Sequence, residues 1–252
     1  MPTDTRSART RSPRPATPPS LPAPSRPPAR VRPEQSPRRL VFFDVDETLI
    51  GMKSGPDFLR HHFTQVHGAA GAHRADELLG ALAGLPRAEA NRRFHRAFRG
   101  CPAAQAETAA RQWYEERSRA DGFYLPTTLA ALRRHRAEGA SVALVSGTFP
   151  PVLAAIAEAV GAQFTLGAAL QRCGPRLTGE LIGPPAIGEG KRTLVRRLLA
   201  RHPDIDPADC WAYGDHPTDL PMLHSVGHAV MVAPDGTHAA VHPHTAGTAG
   251  GR

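Results

Sequence analysis

The sequence predicts an α/β protein in which a Rossmann-like parallel sheet carries an inserted helical subdomain after its first strand. Two observations lead to this fold class. Four short apolar runs alternate with helix-like segments, and a long, mainly helical stretch separates the first run from the second. Strands of a parallel sheet are covered on both faces, so they are apolar throughout, and helices connect them. The 252 residues, 40% of them hydrophobic, suffice for such a core.

The predicted strands comprise residues 40–43, 142–145, 210–213 and 229–232. Helices are predicted at 127–138, 150–160 and 191–201. Polar residues follow the first three strands, namely Asp44, Ser146 and Asp215. Ligands of open α/β sheets bind beyond the carboxyl ends of the strands, so we expect these three side chains to converge there.

The long insertion after the first strand is predicted to be a helical cap over residues 55–125. Its helices are expected at 58–66, 75–82, 88–98 and 105–118. A cap placed directly after the first strand would lie over the strand ends and could close as a lid. Residues 40–54 and 126–235 are predicted to form the core that contains the sheet, with a small hairpin at 170–179.

Both termini differ from this core in composition. Residues 1–39 contain 11 of the 26 Pro and almost no large apolar side chain, which predicts a disordered, Pro/Arg-rich tail. Residues 236–252 are rich in Gly, Thr and His and are predicted to be a flexible C-terminal tail.

The formal net charge of +8 lies mostly in the N-terminal tail, where nine Arg face only Asp4 and Glu34. Nucleic-acid binding through this tail is an alternative function, but a solvated extension is favoured because the remaining chain is close to neutral. No apolar run approaches the roughly 18 residues of a membrane helix. Three widely spaced cysteines match neither a disulfide framework nor a zinc site, which predicts a reducing, cytoplasmic location.

Four carboxylates carry the predicted chemistry. Asp44 and Asp46 follow the first strand at positions i and i+2, and Asp215 and Asp219 follow the third. Carboxylates this close repel one another unless a cation is present. Oxygen ligands select a hard divalent ion, and Mg²⁺ also accepts phosphate oxygens, so we expect a Mg²⁺ site.

A phosphate-binding site is predicted beside these carboxylates. Ser146 and Gly147 lead into a helix with Pro near its start, where a hydroxyl and backbone N–H groups can face an anion. Lys191, at the start of another helix, offers a compact positive charge to a transferring phosphoryl group.

Together these residues resemble the haloacid dehalogenase superfamily of phosphohydrolases, in its phosphoserine phosphatase-like branch. The DxDxT motif is matched by Asp44, Asp46 and Thr48, and the GDxxxD motif by residues 214–219. The strand-end Ser146 and the GEGK segment ending in Lys191 match the other two motifs. The resemblance covers residues 39–235, and the order of the four motifs with the insertion after the first makes it specific.

The resemblance implies a Mg²⁺-dependent phosphatase acting on a small phosphorylated metabolite. Asp44 would attack phosphorus and form an aspartyl-phosphate, and Asp46 would act as general acid and base. The Asp44 carboxylate, the Asp46 carbonyl and Asp215 would hold Mg²⁺, with Asp219 completing the site. Ser146, Gly147 and Lys191 would bind the phosphoryl group, and Thr48 would brace the loop.

One position departs from the branch. Phosphoserine phosphatases carry a Glu five residues after the motif threonine, whereas this chain has Lys53. The reversed charge argues against phosphoserine and for a substrate with an anionic or hydroxylated end; simple solvation of Lys53 is the alternative. A phosphotransferase of the same fold and a non-catalytic binding protein are the rival functions.

Overall fold

The computed structural model describes residues 39–241 and has a six-stranded central sheet. The strand order is β3-β2-β1-β6-β7-β8, and every neighbouring pair is parallel except β7 and β8. The strands are β1 (Leu40–Phe43), β2 (Ser141–Val145), β3 (Phe164–Leu166), β6 (Trp211–Gly214), β7 (His228–Val232) and β8 (His238–Val241). The predicted parallel α/β sheet is therefore confirmed.

The helices fall into those of the insertion and those that flank the sheet. The insertion contains α1 (Ser54–His67), α2 (Ala69–Leu82), α3 (Arg87–Arg96) and α4 (Ala103–Arg117). The flanking helices are α5 (Pro126–Ala137), α6 (Pro150–Val160), α7 (Glu189–Leu199) and the short α8 (Leu220–Leu223). The predicted helices are confirmed, with shifts at their ends. The expected hairpin is formed by β4 (Ala169–Cys173) and β5 (Arg176–Ile182).

Two hydrophobic clusters cover the two faces of the sheet. Alternate residues of β1 point to opposite faces, so Val41 and Phe43 join one cluster while Leu40 and Phe42 join the other. The first cluster continues into the helical insertion. There Phe98 stacks on Phe149, with ring centroids 4.0 Å apart. This packing fixes the insertion against the loop between β2 and α6, which carries Ser146.

Two strands were not predicted, and one of them corrects the expected C-terminal tail. Residues 238–241 form β8, which pairs antiparallel with β7, so the prediction of flexibility is wrong for these four residues. A turn returns the chain to the sheet: Ala233 N donates to Thr237 O over 2.9 Å, and Gly236 takes a φ of 80°. The other unpredicted strand, β3, is three residues long. Residues 1–38 and 242–252, and the predictions made for them, lie outside the described residues.

None of the helices in the described part of the chain combines the length and apolarity needed to cross a membrane. Cys101, Cys173 and Cys210 are free thiols.

Candidate active site

The carboxyl ends of β1, β2 and β6 bring the predicted polar residues together. These three strands are neighbours in the sheet, and Asp44, Ser146 and Asp215 follow them directly. All three residues line one cavity of about 380 Å³ between the sheet and the helical insertion. The predicted convergence is confirmed.

Lys191 lies between two carboxylates at the bottom of this cavity. Its Nζ is 2.7 Å from Asp44 Oδ1 and 2.6 Å from Asp219 Oδ1. All three side chains are buried. Burial alone would lower the pKa of Lys191, but the two carboxylates outweigh it and hold that pKa above its ordinary value. Lys191 is therefore a fixed positive charge in contact with Asp44.

The carboxylate of Asp46 is held by the first residue of α1. Oδ1 accepts hydrogen bonds from Ser54 N at 3.1 Å and from Ser54 Oγ at 2.6 Å. Ser54 Oγ also lies 2.6 Å from Thr148 Oγ1. Burial raises the pKa of Asp46 to about 6, although both hydrogen bonds from Ser54 act to lower it. A carboxyl group with this pKa can donate or accept a proton near neutral pH.

The loop that carries both aspartates turns sharply at Glu47. This residue has a φ of 62°, in the left-handed region that non-glycine residues rarely adopt. The backbone N–H groups of Thr48, Leu49 and Ile50 all donate to Val45 O, which closes the turn. Thr48 Oγ1 then donates to Asp215 Oδ1 over 2.8 Å, so the DxDxT loop is tied to the acidic loop after β6.

The acidic loop depends on a glycine for its close packing. A Cβ on Gly214 would lie 2.7 Å from the Cβ of Asp219, so a larger residue there would displace the carboxylate. Asp219 Oδ2 accepts a hydrogen bond from His216 N at 3.1 Å, and Oδ1 accepts one from Lys191. Asp219 is thus held on both oxygens.

Three of the four carboxylates that were predicted to cluster come together. Oxygen atoms of Asp44, Asp215 and Asp219 lie within 4.8 Å of one another. The carboxylate of Asp46 is not in this group, because Ser54 holds it. The expectation that all four carboxylates cluster is therefore corrected to three. With Lys191 counted, the group has a formal charge of −2, and its donors are all hard oxygens, so it fits a divalent ion such as Mg²⁺.

The predicted phosphate-binding loop has its donors arranged around Ser146. The Oγ of Ser146 accepts a hydrogen bond from Thr148 N at 3.1 Å, which leaves its O–H group able to donate to a ligand. Gly147 and Lys191 line the same cavity. Lys191 reaches it because Gly190 packs on the preceding loop, where a Cβ would lie 1.9 Å from Pro185 O.

Three residues make contacts in the candidate site that the sequence did not predict. Ser54 and Thr148 buttress Asp46, and Asn91 of the insertion donates its amide N–H to Gly147 O over 2.7 Å. Ser54 and Asn91 are isolated residues that give no periodic or motif signal, and the strand-end motif that includes Thr148 does not predict its contact with Ser54. Lys53, singled out by its charge, lines the cavity and is largely exposed, 3.5 Å from Glu47.

The comparison with known proteins places this geometry in a family. The sequence profile described as haloacid dehalogenase-like hydrolase matches residues 41–224, which include all four motifs. The chain belongs to the haloacid dehalogenase-like hydrolases. The expected membership of this superfamily is thereby confirmed, and so is its fold.

Two proteins similar to this chain carry phosphatase names. The chain is 32% identical over 201 residues to "Phosphoserine phosphatase SerB1" of Mycobacterium tuberculosis, covering 77% of this chain and 64% of that protein. It is 30% identical over 209 residues to "Phosphoserine phosphatase" of Streptomyces coelicolor, covering 81% and 47%. These names agree with the predicted phosphoserine phosphatase-like branch. The chain spans less than two thirds of the length of either relative.

Two solved structures share the fold of this chain. A protein of unknown function from Bordetella pertussis Tohama I superposes with a TM-score of 0.64 at 24% identity, covering 78% of this chain and 90% of that one. A phosphoserine phosphatase with a phospho-aspartyl intermediate analogue superposes with a TM-score of 0.56 at 18% identity, covering 78% and 86%.

Proposed function

We propose that the chain is a Mg²⁺-dependent phosphatase that hydrolyses a small phosphate monoester through an aspartyl-phosphate on Asp44. The observation that carries this proposal is the arrangement of Asp44 and Asp46 in one cavity. Asp44 is in contact with the Lys191 ammonium, and Asp46 has a pKa of about 6. The phosphatase names of the relatives support the same reaction class.

In the first step, an Asp44 carboxylate oxygen bonds to phosphorus and the bond between phosphorus and the ester oxygen breaks. Asp46 gives its proton to the leaving oxygen, so the alcohol departs neutral. Lys191, together with the Ser146 hydroxyl, provides hydrogen-bond donors for the negative charge on the phosphoryl oxygens.

In the second step, water attacks the phosphorus of the aspartyl-phosphate. The Asp46 carboxylate, now ionised, takes a proton from this water. The bond between Asp44 and phosphorus breaks, inorganic phosphate leaves, and both aspartates return to their starting states.

The residues that would hold Mg²⁺ are Asp44, Asp215 and Asp219, with the backbone carbonyl of Asp46 proposed as a further ligand. When bound, Mg²⁺ would offset negative charge on the carboxylates and the phosphoryl oxygens. The formal charge of −2 on the carboxylate group with Lys191 supports this assignment.

The test is phosphate release from a panel of sugar, amino-acid, nucleotide and alkyl phosphates, with Mg²⁺ or with EDTA. We expect turnover with Mg²⁺ that is lost in EDTA and in Asp44→Asn. The matched control is Asp204→Asn, an exposed Asp outside the cavity, which should retain turnover.

Two other results would favour one of the rival functions over the proposed phosphatase. If an added alcohol becomes phosphorylated in place of water, the protein is a phosphotransferase of the same fold. If the folded, Mg²⁺-loaded protein turns over no ester, the proposal fails and a non-catalytic binding protein is left.

A further inference from the structure

The cavity has two walls of different chemistry. The reactive wall comprises Asp44, Asp46, Ser146, Lys191 and Asp215, and the helical insertion supplies the other wall. The insertion side is mainly apolar, with contributions from Leu79, Leu82, Ala83, Ala90 and Phe94. The volume of the whole cavity, about 380 Å³, is at the small end of the range of ~300–1,000 Å³ for small-molecule sites. The part of a substrate that extends away from Asp44 therefore meets an apolar surface and has little room.

Two cations line the cavity outside the reactive wall. Lys53 precedes α1 and Arg87 is the first residue of α3. Lys53 Nζ is 3.5 Å from Glu47 Oε2, so the charges of these two residues offset each other. Within residues 39–241, no carboxylate lies within ion-pair distance of Arg87. Outside the reactive wall, the lining thus has one uncompensated positive charge.

We infer that the alcohol part of the substrate has an apolar segment next to the ester oxygen and an anionic group at its far end. The anionic group would pair with the guanidinium of Arg87, with Lys53 as a second cation nearby. An ammonium at that end would face net positive charge and would be disfavoured. This inference rests on the proposed phosphatase activity and extends it to the class of substrate.

Arg87 is the specificity residue in this assignment. A guanidinium can bind a carboxylate or a phosphate through two parallel hydrogen bonds. Both anions share this chemistry, so the substrate can be a phosphorylated carboxylic acid or a bisphosphate. Esters that end in a carboxylate or in a second phosphate distinguish these two classes of substrate.

The test uses alkyl phosphates of one chain length that differ only at the far end. They are butyl phosphate, aminobutyl phosphate, the phosphate ester of hydroxybutanoate and butanediol bisphosphate. We expect kcat/KM to be highest for one of the two anionic esters, about tenfold above butyl phosphate, and lowest for the aminobutyl ester. The better anionic ester identifies the end group. Raising the salt concentration should reduce the difference.

Two variants test whether Arg87 causes the preference for an anionic end group. In Arg87→Gln, the ratio of kcat/KM for the anionic ester to that for butyl phosphate should fall about tenfold. Arg92→Gln removes the same charge from the same helix but outside the cavity lining, and this ratio should not change. Both positions are exposed, so neither change should prevent folding.

Failure of the inference differs from failure of the phosphatase proposal. If butyl phosphate is hydrolysed but the anionic esters are no better, or the aminobutyl ester is preferred, the inference is wrong and the activity stands. If Arg87→Gln and Arg92→Gln change the ratio equally, Arg87 is not the specificity residue. If no ester is hydrolysed, both proposals fail.

Discussion

The Nζ of Lys191 lies 2.7 Å from Oδ1 of Asp44, and both side chains are buried. This contact joins the start of α7 to the end of β1. It keeps a positive charge beside the proposed nucleophile before any ligand binds, and it offsets part of the repulsion among the clustered carboxylates. The same contact therefore serves the stability of the fold and the chemistry proposed for the site.

Lys191→Met should lower the free energy of unfolding and remove phosphatase turnover. The substitution leaves Asp44 and Asp219 buried without their cation, and breaking a buried ion pair in this way costs about 3–5 kcal/mol. Urea unfolding without added metal measures this loss. The matched control is Lys53→Met, which removes the other Lys of the chain at an exposed position and should change stability by less than about 0.5 kcal/mol. Equal losses in the two variants would contradict the structural role of Lys191.

Asp46→Asn should slow hydrolysis in a way that depends on the leaving group. If Asp46 protonates the ester oxygen, removing this acid costs about 10²–10⁴-fold with an alkyl phosphate. An aryl phosphate with a strongly acidic phenol needs little protonation, so formation of the aspartyl-phosphate should be much less affected. Rapid-quench measurement of the burst with both esters tests this. A loss of equal size for both esters would argue that Asp46 does not act as the acid.

Asn91→Ala should weaken closure of the insertion over the reactive wall. The amide of Asn91 donates to Gly147 O over 2.7 Å, and this hydrogen bond joins α3 directly to the predicted phosphate-binding loop. A hydrogen bond of this kind contributes about 1 kcal/mol, which corresponds to roughly a fivefold rise in KM. Gln65→Ala is the control, because the Gln65 side chain donates a hydrogen bond to Gln112 within the insertion. An unchanged KM in Asn91→Ala would show that the bond does not contribute to closure.

Mg²⁺ should stabilise the protein through the group formed by Asp44, Asp215 and Asp219. A ligand present at about 100 times its Kd raises the free energy of unfolding by about 2.7 kcal/mol, so the melting temperature should rise with Mg²⁺ and return in EDTA. In Asp215→Asn this rise should be strongly reduced, whereas Asp204→Asn should behave as the unchanged protein. A Mg²⁺ effect of the same size in both variants would place the ion elsewhere.

The sequence was sufficient to predict the fold class and the residues at the strand ends. Buried parallel strands are apolar on both faces, and Asp44, Ser146 and Asp215 stand directly after three of them, so the topology alone brings them together. The edge strand β8 gave no such signal. Its two central residues, Ala239 and Ala240, are exposed, and its pairing with β7 depends on a turn whose geometry only the folded chain fixes.

The partners of the motif residues were also outside the reach of sequence reasoning. Ser54 holds Asp46 and keeps its carboxylate away from the other three carboxylates, in contrast to the predicted cluster of four. Asn91 and Arg87 reach the cavity only because α3 packs over it. Contacts of this kind depend on the relative placement of helices, which periodicity does not encode.

Stability should fall on acidification because of a histidine on the core side of the sheet. His135 is buried and its Nε2 lies 2.9 Å from the Tyr213 hydroxyl. Burial, with the nearby Arg39 and Arg134, lowers its pKa from 6.5 to about 4. Between these two values the unfolded chain binds more protons than the folded one, so stability falls as the pH falls through this window and levels off below it.

His135→Gln removes this group and tests its contribution. The difference in unfolding free energy between the unchanged protein and the variant should narrow between pH 6.5 and pH 4, by up to about 1.4 kcal/mol per pH unit. Urea unfolding at a series of pH values measures it. The exposed His73 provides the control, since His73→Gln should shift stability by less than about 0.5 kcal/mol throughout. If the difference for His135→Gln is the same at every pH, protonation of His135 does not couple to folding, and the acid sensitivity arises from other groups.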